Sequence, residues 1–163
     1  MTSSDQRPKL QTGRAPELDG HGVRVGIVCA RFNDVITERL LEACHRTLLD
    51  HSVPGDHIEV HWVPGAYELP LGAKACAGSG RYDAVVAIGC VIRGDTPHFD
   101  YVAGEASAGV MRVQLDTGVP CVFGVLTTDT VEQADERSTG DGNKGVEFAE
   151  AAIEMATLVR SLR

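Results

Sequence analysis

At 163 residues the chain is long enough to bury an independent core as one domain. A net charge of −8 with a pI near 5.1 excludes bulk attraction to nucleic acid or to an anionic membrane, so any phosphate must be held by a local site. No apolar run is long enough to span a bilayer, and residues 1–8 contain no leader-like apolar core. Five widely spaced cysteines without a C-x-x-C pair read as reduced, mostly buried thiols, and the expectation is a cytoplasmic protein.

Residues 1–20 are polar and carry Pro8, Gly13, Pro16 and Gly20 without periodicity, so they are expected to form a flexible N-terminal arm, with a single domain over 21–163. Residues 23–30 read as the first strand, ending at Arg31-Phe32-Asn33-Asp34, where Asn33 or Asp34 can cap a helix. In that helix Val35, Ile36, Leu40, Leu41, Cys44, Leu48 and Leu49 recur at helical spacing. Val53-Pro54-Gly55 is a turn, and 57–63 alternates polar and apolar residues as a strand with one wetter face. Pro64-Gly65 breaks it, and a helix is expected from Ala66 to about Gly78 with Pro70 near its start.

The run Val85-Val86-Ala87-Ile88, continuing through Gly89 and Cys90 to Val91-Ile92, suits a strand covered on both faces. Gly94 permits a tight loop, Thr96 can cap the next helix, and Pro97 suits its first position, leaving His98 in the first turn. That helix is expected to reach about Asp116. A fourth strand follows over 119–126, and Thr130-Val131-Glu132-Gln133 matches a capping box for a short helix to Arg137. A glycine-rich loop through Gly140 and Gly142 precedes a last helix from about Asn143. Strands alternating with helices predict right-handed crossovers and a parallel sheet with helices on both faces, an α/β fold. Ligands of such sheets bind beyond the carboxyl ends of the strands.

Four strand ends are therefore candidate walls of one site. Phe32 suits either core packing or stacking on a planar heterocycle. Glu68 lies at a helix start, where an acid is favourable in any case, or it binds ligand hydroxyls. The helix opening at Thr96 offers free backbone N–H groups to an anion, and His98 stands beside it as a candidate for proton transfer. Asp95 has the wrong sign for a phosphate, so a counter-charge is needed, and Arg137 and Lys144 flank the late glycine-rich loop. His57, Glu59 and His61 share a strand face, read as a hydrated face rather than a zinc site. Gly-x-Gly-x-x-Gly and P-loop patterns are absent, so nothing supports dinucleotide or nucleoside triphosphate binding.

Over residues 21–160 the chain resembles the 6,7-dimethyl-8-ribityllumazine synthase family. The resemblance rests on Arg31-Phe32-Asn33, Val63-Pro64-Gly65-Ala66-Tyr67-Glu68-Leu69-Pro70 and the run from Gly89 through Arg93-Gly94-Asp95-Thr96-Pro97-His98-Phe99-Asp100-Tyr101-Val102. Phe123-Gly124-Val125-Leu126-Thr127-Thr128 and Gly142-Asn143-Lys144-Gly145 follow in the same order.

The resemblance implies a three-layer αβα sandwich around a four-stranded parallel sheet, flavodoxin-like in kind. It implies condensation of 5-amino-6-(D-ribitylamino)uracil with 3,4-dihydroxy-2-butanone 4-phosphate, releasing phosphate and water, with no cofactor and no metal. Carried onto this chain, Phe32 would stack on the pyrimidine, while Asn33, Ala66 and Glu68 would hold the ribityl chain. Cys90, Val91 and Ile92 would meet the heterocycle, and Asp95 and Thr96 would offer N–H groups to the phosphate. Arg137 would pair with that phosphate, Lys144 would lie near it, Phe123 would wall the pocket, coming together with Arg137 from the adjacent subunit, and His98 would move protons. Tyr67, in the same motif, stands where other aromatics or aliphatics are common.

Family members share active sites between adjacent subunits, which implies a homo-oligomer, at least a pentamer, with riboflavin synthase as a candidate partner. The segment 137–144 looks a residue shorter than a common family version, and that loop bears on whether pentamers join into an icosahedral shell. The competing readings are a non-catalytic flavin- or lumazine-binding protein, a capsid-like container on the same scaffold, or a riboflavin synthase of similar fold.

Overall fold

The computed structural model describes residues 18–163. Residues 1–17 of the expected arm lie outside that span. Leu18 already packs against the core, and the Gly20 N–H donates to the His51 carbonyl at 2.6 Å. The elements are β1 (Val25–Ala30), α1 (Asp34–Asp50), β2 (Ile58–Val63), α2 (Leu69–Ala77), β3 (Ala84–Ile92), α3 (His98–Thr117), β4 (Cys121–Thr128), α4 (Val131–Glu136) and α5 (Gly145–Ser161). Short 3₁₀ turns cover Gly55–His57, Ala66–Glu68 and Gly140–Gly142.

The four strands form one parallel sheet in the order β2-β1-β3-β4, in register from Val25↔Ile58 and Val25↔Ala84 to Ile92↔Thr128. The expected α/β architecture is the observed one. Alternation along β3 divides the core: Val86 and Ile88 face α1 and α5, whereas Val85, Ala87 and Val91 face α2 and α3. β1 and β3 are buried along almost their whole length, because two helical layers cover them. Gly145 lets α5 approach α1 closely; a Cβ there would stand 2.3 Å from the Leu40 carbonyl oxygen.

Several boundaries move, each for a local reason. β1 starts at Val25 rather than 23, because the Arg24 N–H is taken by the Asp83 carboxylate before the ladder begins. β4 runs over Cys121–Thr128 rather than 119–126: Pro120 has no N–H, while Thr127 and Thr128 pair with Val91 and Ile92. The helix expected from Ala66 is a 3₁₀ turn followed by α2, since Pro70 lacks the N–H an α-helix would direct at the Ala66 carbonyl.

Helix α3 also shifts: Pro97 is its cap and His98 its first residue, and the Thr96 hydroxyl reaches only the His98 N–H, at 3.4 Å. Before α5, Asn143 stays outside the helix. Its amide donates to the carbonyls of Ser138 and Arg39, and its oxygen accepts the Gly145 N–H. The Thr130–Gln133 capping box at α4 forms as expected.

Two features face outward. On α3, Tyr101, Met111 and Leu115 are exposed and, with Ala108, fall at near-heptad spacing on one side, and Leu71 of α2 is exposed too. On edge strand β2, Glu59 pairs with Arg81 and the His61 ring meets the Tyr82 hydroxyl at 2.8 Å. His57 falls in the 3₁₀ turn before β2 rather than on the strand, and its ring lies 3.2 Å from the Val23 carbonyl, so each of the three side chains has a protein partner. No described helix is long and apolar enough to cross a membrane.

Candidate active site

The carboxyl ends of β1, β2 and β3 open into one cavity of about 760 Å³. At the β1 exit, the Arg31 and Phe32 N–H groups donate to the Val63 and Pro64 carbonyls at 2.8 and 3.0 Å. That fixes the backbone of Phe32 against the β2 exit and leaves its ring 71% exposed at the cavity wall. An apolar ring held open by its own backbone fits stacking, not core packing.

The β2 exit supplies Pro64, Gly65, Ala66, Tyr67 and Glu68. A Cβ on Gly65 would lie 3.4 Å from Glu68 Oε2 and 3.7 Å from the Phe32 Cβ. The glycine thus lets the carboxylate lie across the turn, close to Phe32. The β3 exit contributes Cys90, Val91 and Ile92, then Gly94 and Thr96 from the loop, and His98, Phe99, Tyr101 and Val102 from α3.

The chemistry follows from these groups. The N–H groups of Gly94, Asp95 and Thr96 donate to no described protein partner, and the loop leads directly into α3, so this end of the cavity favours an anion. His98 is exposed beside it. Burial pushes the Cys90 thiol up to about 11, which keeps it protonated and removes it as a nucleophile. The cavity therefore suits a reaction between two bound molecules, aided by a carboxylate, free amides and an imidazole, rather than one through an enzyme nucleophile.

Of the residues singled out in the sequence, Phe32, Ala66, Tyr67, Glu68, Cys90, Val91, Ile92, Thr96 and His98 meet in this cavity. Asp95 sits between two lining residues without lining it. Asn33, the positional cap of α1, adopts a left-handed backbone with φ 62° and makes no side-chain capping bond; its amide donates instead to the Cys90 carbonyl at 2.9 Å. Phe123, Arg137 and Lys144 lie elsewhere, on β4 and at the ends of α4 and α5. Arg137 donates to the Gln133 carbonyl at 3.0 Å, and Lys144 pairs with Glu147 at 3.1 Å. Among the described residues, no lysine or arginine lines the cavity. Tyr101 and Val102 were not singled out, although their i+3 and i+4 spacing from His98 signals a shared helix face.

A parallel sheet between two helical layers, with a cavity across three strand ends, defines a small-molecule α/β protein of the doubly wound class. Residues 22–160 match the family described as 6,7-dimethyl-8-ribityllumazine synthase, and the chain belongs to that family. The family's role is in riboflavin biosynthesis, acting on small-molecule substrates.

Proposed function

We propose that this chain condenses 5-amino-6-(D-ribitylamino)uracil with 3,4-dihydroxy-2-butanone 4-phosphate to give 6,7-dimethyl-8-ribityllumazine, releasing phosphate and water, in the cytoplasm. The observation that carries this reading is the meeting of Phe32, Glu68, Thr96 and His98 in one cavity of a chain from this family. Phe32 stacks on the pyrimidine, and Glu68 accepts hydrogen bonds from the ribityl hydroxyls. Cys90, Val91 and Ile92 line the heterocycle. The Asp95 and Thr96 N–H groups and the Thr96 hydroxyl hold the phosphate.

The ring amine of the uracil is itself the nucleophile. It attacks the ketone carbon, and loss of water gives an imine. A proton then leaves the neighbouring carbon as phosphate departs. The resulting enol takes up a proton to become a ketone, the ribitylamino nitrogen attacks that carbonyl, and loss of a second water closes the ring. His98 moves protons in these steps, while holding two reactants together supplies much of the rate.

Among the described residues no lysine or arginine lines the cavity to meet the phosphate, and Phe123, Arg137 and Lys144 stand outside it. We propose that a second copy supplies them in a homo-oligomer of at least five subunits. The exposed Tyr101, Met111 and Leu115 of α3 are apolar surface that such a contact would cover.

Mixing the two substrates with the protein tests the reading. Lumazine fluorescence should rise with one phosphate released per lumazine, in proportion to protein. A signal that rises no faster than without protein, while added lumazine still binds, would favour a non-catalytic binding protein instead.

A further inference from the structure

Arg93 is the first residue after β3, and it does not itself line the cavity. Its backbone N–H donates to the Thr128 carbonyl at 2.8 Å, and its Nε donates to Asp129 Oδ1 at 2.9 Å, both at the end of β4. Its Nη1 reaches Asp100 Oδ1 in the first turn of α3 at 3.3 Å, and the guanidinium lies 4.3 Å from the centre of the Phe99 ring, a cavity wall. One side chain thus ties together the end of the sheet, the helix start and the cavity.

We infer that Arg93 is a positioning residue that fixes the first turn of α3, and with it His98, against the end of β4. Beyond the packing of Phe99 and Val102 against the core, the segment is sparsely bonded: among the described residues the hydrogen bonds within 94–100 are Asp100 N–H to the Pro97 carbonyl at 3.0 Å and His98 N–H to the Thr96 hydroxyl at 3.4 Å. The anchor itself is firm, because the Asp129 and Thr130 N–H groups both donate to Gln133 Oε1 in the α4 capping box. Asp100, Asp129 and Arg93 are all substantially exposed, so these ion pairs add little to global stability and their effect is local. An Arg fork suits the task, since one planar group reaches two carboxylates and stacks on a ring at once.

The inference rests on the proposed condensation for its role of His98, and a double-mutant cycle tests it. Arg93→Ala should lower kcat roughly tenfold while leaving the KM for the uracil amine unchanged, because a displaced proton-transfer group costs rate rather than binding. In a His98→Ala background the same substitution should change kcat by less than about threefold, since the group it positions is gone. Asp129→Ala, which removes the acceptor of Arg93 Nε, should behave alike. Equal losses in both backgrounds would overturn the positioning role.

Amide hydrogen exchange provides a readout independent of turnover. Arg93→Ala should speed exchange at the start of α3 while β3 stays slow; unchanged exchange there overturns the clamp. If the wild-type protein makes no lumazine, the proposed condensation fails, and the exchange result alone decides the clamp.

Discussion

The side-chain amide of Asn33 donates to the backbone carbonyl of Cys90 at 2.9 Å, joining the exit of β1 to the exit of β3 beside two cavity-lining residues, Phe32 and Cys90. Asn33 can reach it because its backbone is left-handed, with φ 62°, a region asparagine tolerates better than most residues. Asn33→Ala loses both the bond and the tolerance and should cost about 1–3 kcal/mol in urea unfolding. Asn33→Asp keeps the tolerance but sets an acceptor against an acceptor, and should be no better. If Asn33→Asp were as stable as wild type, the amide bond would contribute nothing.

His98→Ala should slow lumazine formation by roughly 10- to 100-fold, at or below the low end of the range of about 10²–10⁴ for general acid–base catalysis, because the substrate amine needs no enzyme nucleophile. Single-turnover fluorescence measures it. A fall to the rate without protein, or no change, would contradict the role assigned to His98.

The α/β class and the strand ends that meet were legible in the sequence because apolar runs and helical periods alternate cleanly from 23 to 160. Local competition was less legible. Thr96 and Asn33 both look like caps, yet Asn33 turns to the Cys90 carbonyl and Pro97 takes the cap of α3. Arg93 sits in the most diagnostic motif without any pattern that betrays its partners, since Asp129 is 36 residues away in the chain. Nor does spacing say that Phe123, Arg137 and Lys144 fall outside this chain's own cavity. That depends on where β4 lies in the sheet order.

All five cysteines are buried and free, and burial raises Cys29, Cys44 and Cys121 to about 12 and Cys90 to about 11, from an ordinary 9.0. A thiol whose folded value lies above its unfolded value favours the folded state fully below the unfolded value. That contribution is lost as pH rises from about 9 towards 12. The urea midpoint should therefore hold level on this account up to about pH 8.5 and fall beyond it. In native protein at pH 8 a disulfide reagent should find no fast thiol, against five after denaturation. A rapid native thiol at Cys90 would contradict its burial.

Leu115→Glu places a charge on the apolar side of α3 without disturbing the fold, since Leu115 is 74% exposed in the single chain. If that side is covered by a second copy, a desolvated carboxylate there should split the assembly. Light scattering should then report a smaller particle, and activity should fall with it. An unchanged mass would remove α3 from the interface.

Arg137→Ala should raise the apparent KM for the butanone phosphate and leave the uracil amine's KM nearly unchanged, because an Arg fork on a phosphate contributes binding. Where that arginine acts is decided by complementation. His98 lines this chain's own cavity, whereas Arg137 is bonded to Gln133 outside it. If each site takes His98 from one subunit and Arg137 from its neighbour, co-expressing His98→Ala and Arg137→Ala chains creates sites with both residues intact. In random mixed rings about a quarter of the sites should be restored, and others should lack both groups. At subsaturating butanone phosphate the mixture should then exceed the mean of the two parents. Were both groups to act within one chain, every site would lack one or the other, and the mixture would match the parental mean. Activity at that mean, with mixed rings confirmed by mass, would rule out a site shared between subunits.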